Sequence, residues 1–173
     1  MTAANDALRY YKIHPSVKDP FFATKGSACF DIHACVVEGA YYRVNQDTLN
    51  KTIERPVKGN SIQVFCMERV LVPTGLIFDI PKSHSLRLYP RSSLALKQGL
   101  TLANNVGIID SDYVQPVYMM VYNISGYQQF VKNGERICQA ELVREQPSVL
   151  MEVNERPERK TDRDGGFGST GKG

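Results

Sequence analysis

Apolar side chains alternate with polar ones, or stand together in short runs, along most of this chain, at 28–37, 61–72, 76–80, 86–89, 106–109, 117–122, 128–131 and 137–143. A repeat of two puts successive side chains on opposite faces of an extended strand, so these runs predict a many-stranded β protein. Turn residues separate them: Pro73-Thr74-Gly75, Pro81-Lys82-Ser83, Asn123-Ile124-Ser125-Gly126 and Lys132-Asn133-Gly134. One brief helix is predicted over 92–98, with Ser92 or Ser93 as N-cap and Gly99 as its stop. An antiparallel sandwich or barrel follows. Residues 39–60 are polar, lack clean alternation and contain Pro56-Val57-Lys58-Gly59-Asn60, which predicts a long surface excursion. Beyond Pro147 the core pattern stops, and the charged stretch 152–164 reads as a linker to a glycine-rich tail. The chain thus divides into a β domain, 1–150, and a linker with C-terminal arm, 151–173.

Composition narrows the function classes. At 173 residues the chain is long enough for one well-cored domain. A net charge of +3, with no basic run interleaved by aromatics, argues against a nucleic-acid partner. No stretch approaches the ~20 apolar residues of a membrane span, and the first residues carry no apolar signal region. Cys29, Cys35, Cys66 and Cys138 form no C-x-x-C pair, and His14, His33 and His84 lack metal-ligand spacing. Reduced thiols and a cytoplasmic or comparable cell-interior setting, rather than secretion, are expected.

Three segments carry candidate chemistry. The tail, Gly165-Gly166-Phe167-Gly168-Ser169-Thr170-Gly171-Lys172-Gly173, offers unshielded backbone N–H groups, hydroxyls and one ring, a composition that suits wrapping a phosphate chain and stacking on a base. It fits a P-loop except at Gly173, which stands where Ser or Thr should hold Mg²⁺, so a P-loop NTPase is rejected. A plain chain terminus is the alternative reading. Pro90-Arg91-Ser92-Ser93-Leu94 sets a guanidinium and two hydroxyls at the mouth of the short helix, either a phosphate seat or an ordinary cap beside a surface arginine. Val106-Gly107-Ile108-Ile109-Asp110-Ser111-Asp112-Tyr113 runs from an apolar strand into two carboxylates, which can orient water or simply close a turn.

Taken in order, these segments resemble the five motifs of the trimeric dUTP pyrophosphatases (dUTPases). Gly26-Ser27-Ala28-Cys29-Phe30-Asp31-Ile32-His33-Ala34 is similar to motif one, and Pro90-Arg91-Ser92-Ser93-Leu94-Ala95 to motif two. Residues 104–113, from Asn104-Asn105 to Asp112-Tyr113, are similar to motif three. Gly134-Glu135-Arg136-Ile137-Cys138-Gln139 is similar to motif four, and 163–171 to motif five. The resemblance implies a jelly-roll-like β subunit with one short helix and a flexible arm. It further implies a homotrimer whose active sites are shared between subunits, and hydrolysis of dUTP to dUMP and pyrophosphate with Mg²⁺. By the same resemblance Asp110 is the general base. Arg91, Ser92, Ser93 and Gln139 meet the triphosphate, Asn104, Gly107 and Ile109 read the uracil, and Tyr113 packs on the deoxyribose. Phe167 and Gly168 close over the base, while Ser169, Thr170 and Arg163 reach the phosphates. Asp31 lies in the outer shell of the metal, through water only.

Departures from the family pattern are few. A single residue, Asp164, separates Arg163 from Gly165, where the family has two. Val114-Gln115-Pro116 follows Tyr113 in place of a polar residue and Gly, and residues 39–60 look like an insertion that could dock a protein partner. The related dCTP deaminases use a glutamate where this chain has Met120 and favour an arginine where it has Leu96, so deamination is not expected. A regulatory binding protein on the same fold remains the alternative of a different class.

Overall fold

The computed structural model describes residues 7–46 and 51–162. Among them lie thirteen strands and one short helix, every strand pair being antiparallel. One four-stranded sheet joins β2 (Phe30–His33), β8 (His84–Pro90), β10 (Gly107–Ile109) and β13 (Arg136–Arg144) in the order β10-β8-β13-β2. A five-stranded sheet joins β3 (Tyr41–Gln46), β4 (Lys51–Pro56), β6 (Glu68–Pro73), β9 (Leu100–Leu102) and β11 (Tyr118–Asn123) in the order β4-β3-β6-β11-β9. Two ribbons, β1 (Arg9–Lys12) with β7 (Leu76–Asp79) and β5 (Ser61–Val64) with β12 (Gln129–Lys132), complete a jelly-roll-like subunit.

Alternation explains the packing. Inward residues of the four-stranded sheet, Ile32, Leu86, Leu88, Ile137 and Ala140, and of the five-stranded sheet, Val44, Val70, Val72, Met119 and Val121, belong to one continuous buried cluster. Burying each of the larger side chains among them contributes about 1.5–3 kcal/mol. Gly75 turns the chain between β6 and β7 at φ +71°, where a Cβ would run into Val17 and Cys35. No other residue fits there.

Three expectations need correction. Residues 39–60 are not a surface excursion: β3 and β4 form a hairpin, and β3 pairs with β6. Among its described residues the inward face is carried by Tyr42 and Val44, buried, and Ile53, half-buried, too few to show as alternation. The run 61–72 is two strands, broken by Phe65-Cys66-Met67, where Met67 takes φ 61°. The helix α1 (Ser92–Gln98) has the expected length and a left-handed Gly99 C-cap, but its N-cap is Arg91 and no side chain caps it. Both serine hydroxyls are therefore left for other partners. The strands β1 and β9 escape the pattern, because β1 carries no buried residue and β9 is three residues directly after the Gly99 stop of α1.

Candidate active site

Adjacent strands of the four-stranded sheet deliver motifs one, two and four to one place. Asp31 lies in β2 opposite Gln139 of β13, and Arg91 follows the end of β8, which pairs with β13 on its other side. Asp31 is buried, at 7% exposure, and its two oxygens are taken by two arginines: Arg91 Nε at 2.9 Å and Arg136 Nη1 at 3.0 Å. Arg91 Nη1 also donates to the Arg136 carbonyl at 3.3 Å. Gln139 donates to the Pro90 carbonyl at 3.2 Å, which ties the glutamine to the chain entering α1. With only seven residues, α1 supplies a weak dipole, so the attraction for an anion at Ser92 and Ser93 rests chiefly on the neighbouring arginines.

A register irregularity makes this cluster possible. Arg136 pairs with His33, yet Cys138 pairs with Ile32 and Gln139 with Asp31, so one extra residue is accommodated between Arg136 and Cys138. In a regular strand, residues three apart face opposite sides. The bulge brings both Arg136 and Gln139 onto the face of Asp31 and turns Cys138 into the core. Burial pushes the Cys138 thiol well above its ordinary range, so it stays protonated and inert. All four cysteines are free. His33 is held below the usual imidazole range, first by burial and then by the Lys18 charge, with Arg136 and Arg91 adding to the effect against Asp31.

The motif-four turn is braced as well. Glu135 accepts from Gln98, the last residue of α1, at 2.9 Å and from the Lys132 backbone at 3.0 Å. This links the far end of the helix to the turn that carries Arg136. Neither Arg136, Glu135 nor Gln98 was singled out by the sequence reading. The signal for Arg136 was its place inside Gly134-Glu135-Arg136, but only the bulge shows where its side chain goes.

Motif three lies elsewhere in the same chain. Gly107 pairs with Leu88 and Ile109 with Leu86, so Asp110 leaves the sheet at the Ser85 end of β8 while Arg91 leaves at the opposite end. Ser85 and Arg91 stand six positions apart, about 20 Å of extended strand. Asp110, Asn104 and Tyr113 are exposed, Ile109 is half-buried, and Gly107 packs against Leu88. Tyr113 donates to the Pro116 carbonyl at 3.3 Å, closing the turn after Asp110. Within one chain Asp110 is remote from the Asp31, Arg91 and Gln139 cluster. Arg163, Phe167, Gly168, Ser169 and Thr170 lie outside the described residues.

Among the described residues no helix is long and apolar enough to cross a membrane. Nor do three or more His, Cys, Asp or Glu side chains group as metal ligands there. Asp31, with both oxygens already paired to arginines, suits accepting a hydrogen bond from a metal-bound water rather than ligating a cation itself.

A family profile described as dUTPase matches residues 58–171. A deoxyuridine 5'-triphosphate nucleotidohydrolase of Dinoroseobacter shibae is 38% identical over 173 residues, 100% of both chains. Its counterpart from Hydrogenobaculum sp. is 35% identical over 162 residues, covering 92% of this chain and 94% of the relative. Among solved structures, a Staphylococcus bacteriophage 80alpha dUTPase with dUpNHpp superposes with a TM-score of 0.73 at 18% identity, covering 96% of this chain and 99% of that one. A Streptococcus mutans dUTPase gives 0.61 at 22%, covering 83% and 98%. At those identities the structural likeness speaks for the fold.

Proposed function

Because this chain belongs to the dUTPase family, we propose that it hydrolyses dUTP to dUMP and pyrophosphate at sites shared between the subunits of a homotrimer, with Asp110 as general base. The observation that carries the shared site is the separation of Asp110 from Arg91 along β8, about 20 Å. A water activated by Asp110 must attack an α-phosphate whose chain is held by Arg91 and Gln139. One chain cannot bring both groups to one phosphorus, whereas a second copy, laying its motif-three hairpin against the first copy's cluster, can. Val149, Leu150, Met151 and Val153 support association, since they are 87%, 95%, 80% and 62% exposed in a segment without regular secondary structure beyond β13. Such a run suits burial against another copy.

In this reading Asp110 takes the proton of the attacking water. Arg91, Ser92, Ser93 and Gln139 donate to the triphosphate oxygens where negative charge builds. Asn104 and the backbone at Gly107 and Ile109 read the uracil edge, and Tyr113 packs on the sugar and denies room to a 2′-hydroxyl. Arg163, Phe167, Gly168, Ser169 and Thr170 close the site from the arm. Mg²⁺ bound to the triphosphate would neutralise part of its charge, and Asp31 would accept a hydrogen bond from a water of that ion. Four free thiols agree with a reducing cell interior.

The test is pyrophosphate release across dUTP, dCTP, dTTP and UTP in the presence of Mg²⁺. Turnover of dUTP alone is expected. Ammonia release from dCTP would replace this reading by deamination, for which Met120 provides no proton-transfer group.

A further inference from the structure

Arg91 and Asp31 alone would cancel. One guanidinium and one carboxylate in contact at 2.9 Å carry no net charge, and a buried pair of that kind has little pull on a polyanion. Arg136, half-exposed at 43% and 3.0 Å from the other Asp31 oxygen, restores a net positive charge. Its own carbonyl holds Arg91 Nη1 at 3.3 Å, so the same residue also orients the Arg91 fork from a second side. With Nε on Asp31 and Nη1 on that carbonyl, Nη2 is the atom of Arg91 left to turn toward an incoming oxygen. The bulge between Arg136 and Cys138 is the backbone feature that allows all of this, because it aims Arg136 along the sheet at Asp31.

We propose that Arg136 is a positioning residue for triphosphate capture: it fixes the Arg91 guanidinium through Asp31 and its own carbonyl, and it supplies the charge that Asp31 would otherwise remove. The proposal rests on the dUTPase reading of the site. It assigns the triphosphate, not the uracil or the sugar, as the part of the ligand that senses Arg136. A residue acting on overall folding would weaken every ligand alike; one acting on the phosphate cluster discriminates by ligand charge.

The experiment compares the full-length protein with Arg136→Lys, Arg136→Gln and Arg136→Gln/Asp31→Asn, by calorimetric titration of a non-hydrolysable dUTP analogue and of dUMP, with thermal melts alongside. Arg136→Gln should weaken the triphosphate analogue about ten-fold while dUMP changes less than about two-fold, and KM for dUTP should rise more than kcat falls. Arg136→Lys keeps the charge and should stay within about three-fold of the parent. The double variant removes one charge of each sign and should recover at least part of the lost triphosphate affinity. Equal weakening of both ligands, or normal binding with only a lower melting temperature, would overturn the proposal. No recovery in the double variant would overturn its charge-balance half. Should Arg136→Gln fail to fold, Arg136→Met, which keeps the apolar stem and removes the charge, takes its place and is read by the same ratio of triphosphate to monophosphate affinity. Failure of the parent protein to release pyrophosphate from dUTP would instead refute the functional reading.

Discussion

Arg55 of β4 and Glu68 of β6 form a two-pronged ion pair, with Arg55 nitrogens 3.0 and 2.8 Å from the two Glu68 oxygens. Their side chains are 17% and 6% exposed, and Arg55 also lies over the Phe65 ring at 4.8 Å. Glu68 further accepts from Gln46 and from the Phe65 backbone, so Gln46 of β3 and Arg55 of β4 are both tied to β6 through one carboxylate. Arg55→Ala strands that charge and should cost about 3–5 kcal/mol, read from chemical denaturation. A paired Arg55→Leu/Glu68→Leu variant should recover much of the loss. If Arg55→Ala is within error of the parent protein, the hairpin is not anchored by this pair.

The same carboxylate makes stability depend on acid. Burial pushes Glu68 up, but hydrogen bonds from Arg55, the Phe65 backbone and Gln46 outweigh it and hold the group below the ordinary carboxylate range. A depressed folded pKa adds stability that is fully present above the unfolded value, near 4.3, and is lost as pH falls through the folded one. Denaturation midpoints should therefore decline below about pH 4.3, and less steeply in Glu68→Gln. A parallel decline in both proteins would show that other groups carry the effect.

Asp110→Asn keeps the shape of the side chain and removes the base. Loss of a positioned general base typically costs about 10²–10⁴ in rate, so kcat should collapse while binding of a non-hydrolysable dUTP analogue survives. Near-normal kcat would pass the role to another group, Asp112 first.

Mixing two inactive variants tests the shared site directly. If Asp110 and Arg91 of one active site come from different chains, Asp110→Asn and Arg91→Gln subunits, unfolded together and reassembled at equal ratio, should regain about a quarter of parental activity in randomly mixed trimers. Sites built from one chain would regain none.

Deleting residues 165–173 should leave the melting temperature unchanged, because the buried cluster of the described residues runs from Val17 to Ala140. Turnover should fall steeply as the arm's phosphate donors are lost. Phe167→Ala should weaken analogue binding by about 1–3 kcal/mol, the value of one base stack. A deletion variant with full kcat would remove the arm from the mechanism.

Strands with a clear inward face, such as β8 and β13, were legible in the sequence because a repeat of two is a local property and burial rewards it directly. Motifs in order, from Asp31 to Gln139, were legible for the same reason: each is a short stretch whose residue types announce their chemistry. The β3–β4 hairpin was not legible, since its place depends on β6 and on Arg55 reaching Glu68, partners remote in the chain. Nor was Arg136, whose direction is set by an extra residue in a strand register that exists only once β13 pairs with β2. The separation of Asp110 from Arg91 is likewise a matter of which residues of β10 face which of β8. Sequence determined the chemical groups and their local geometry; pairing between distant segments decided which of those groups meet, because register is a property of two strands and not of one.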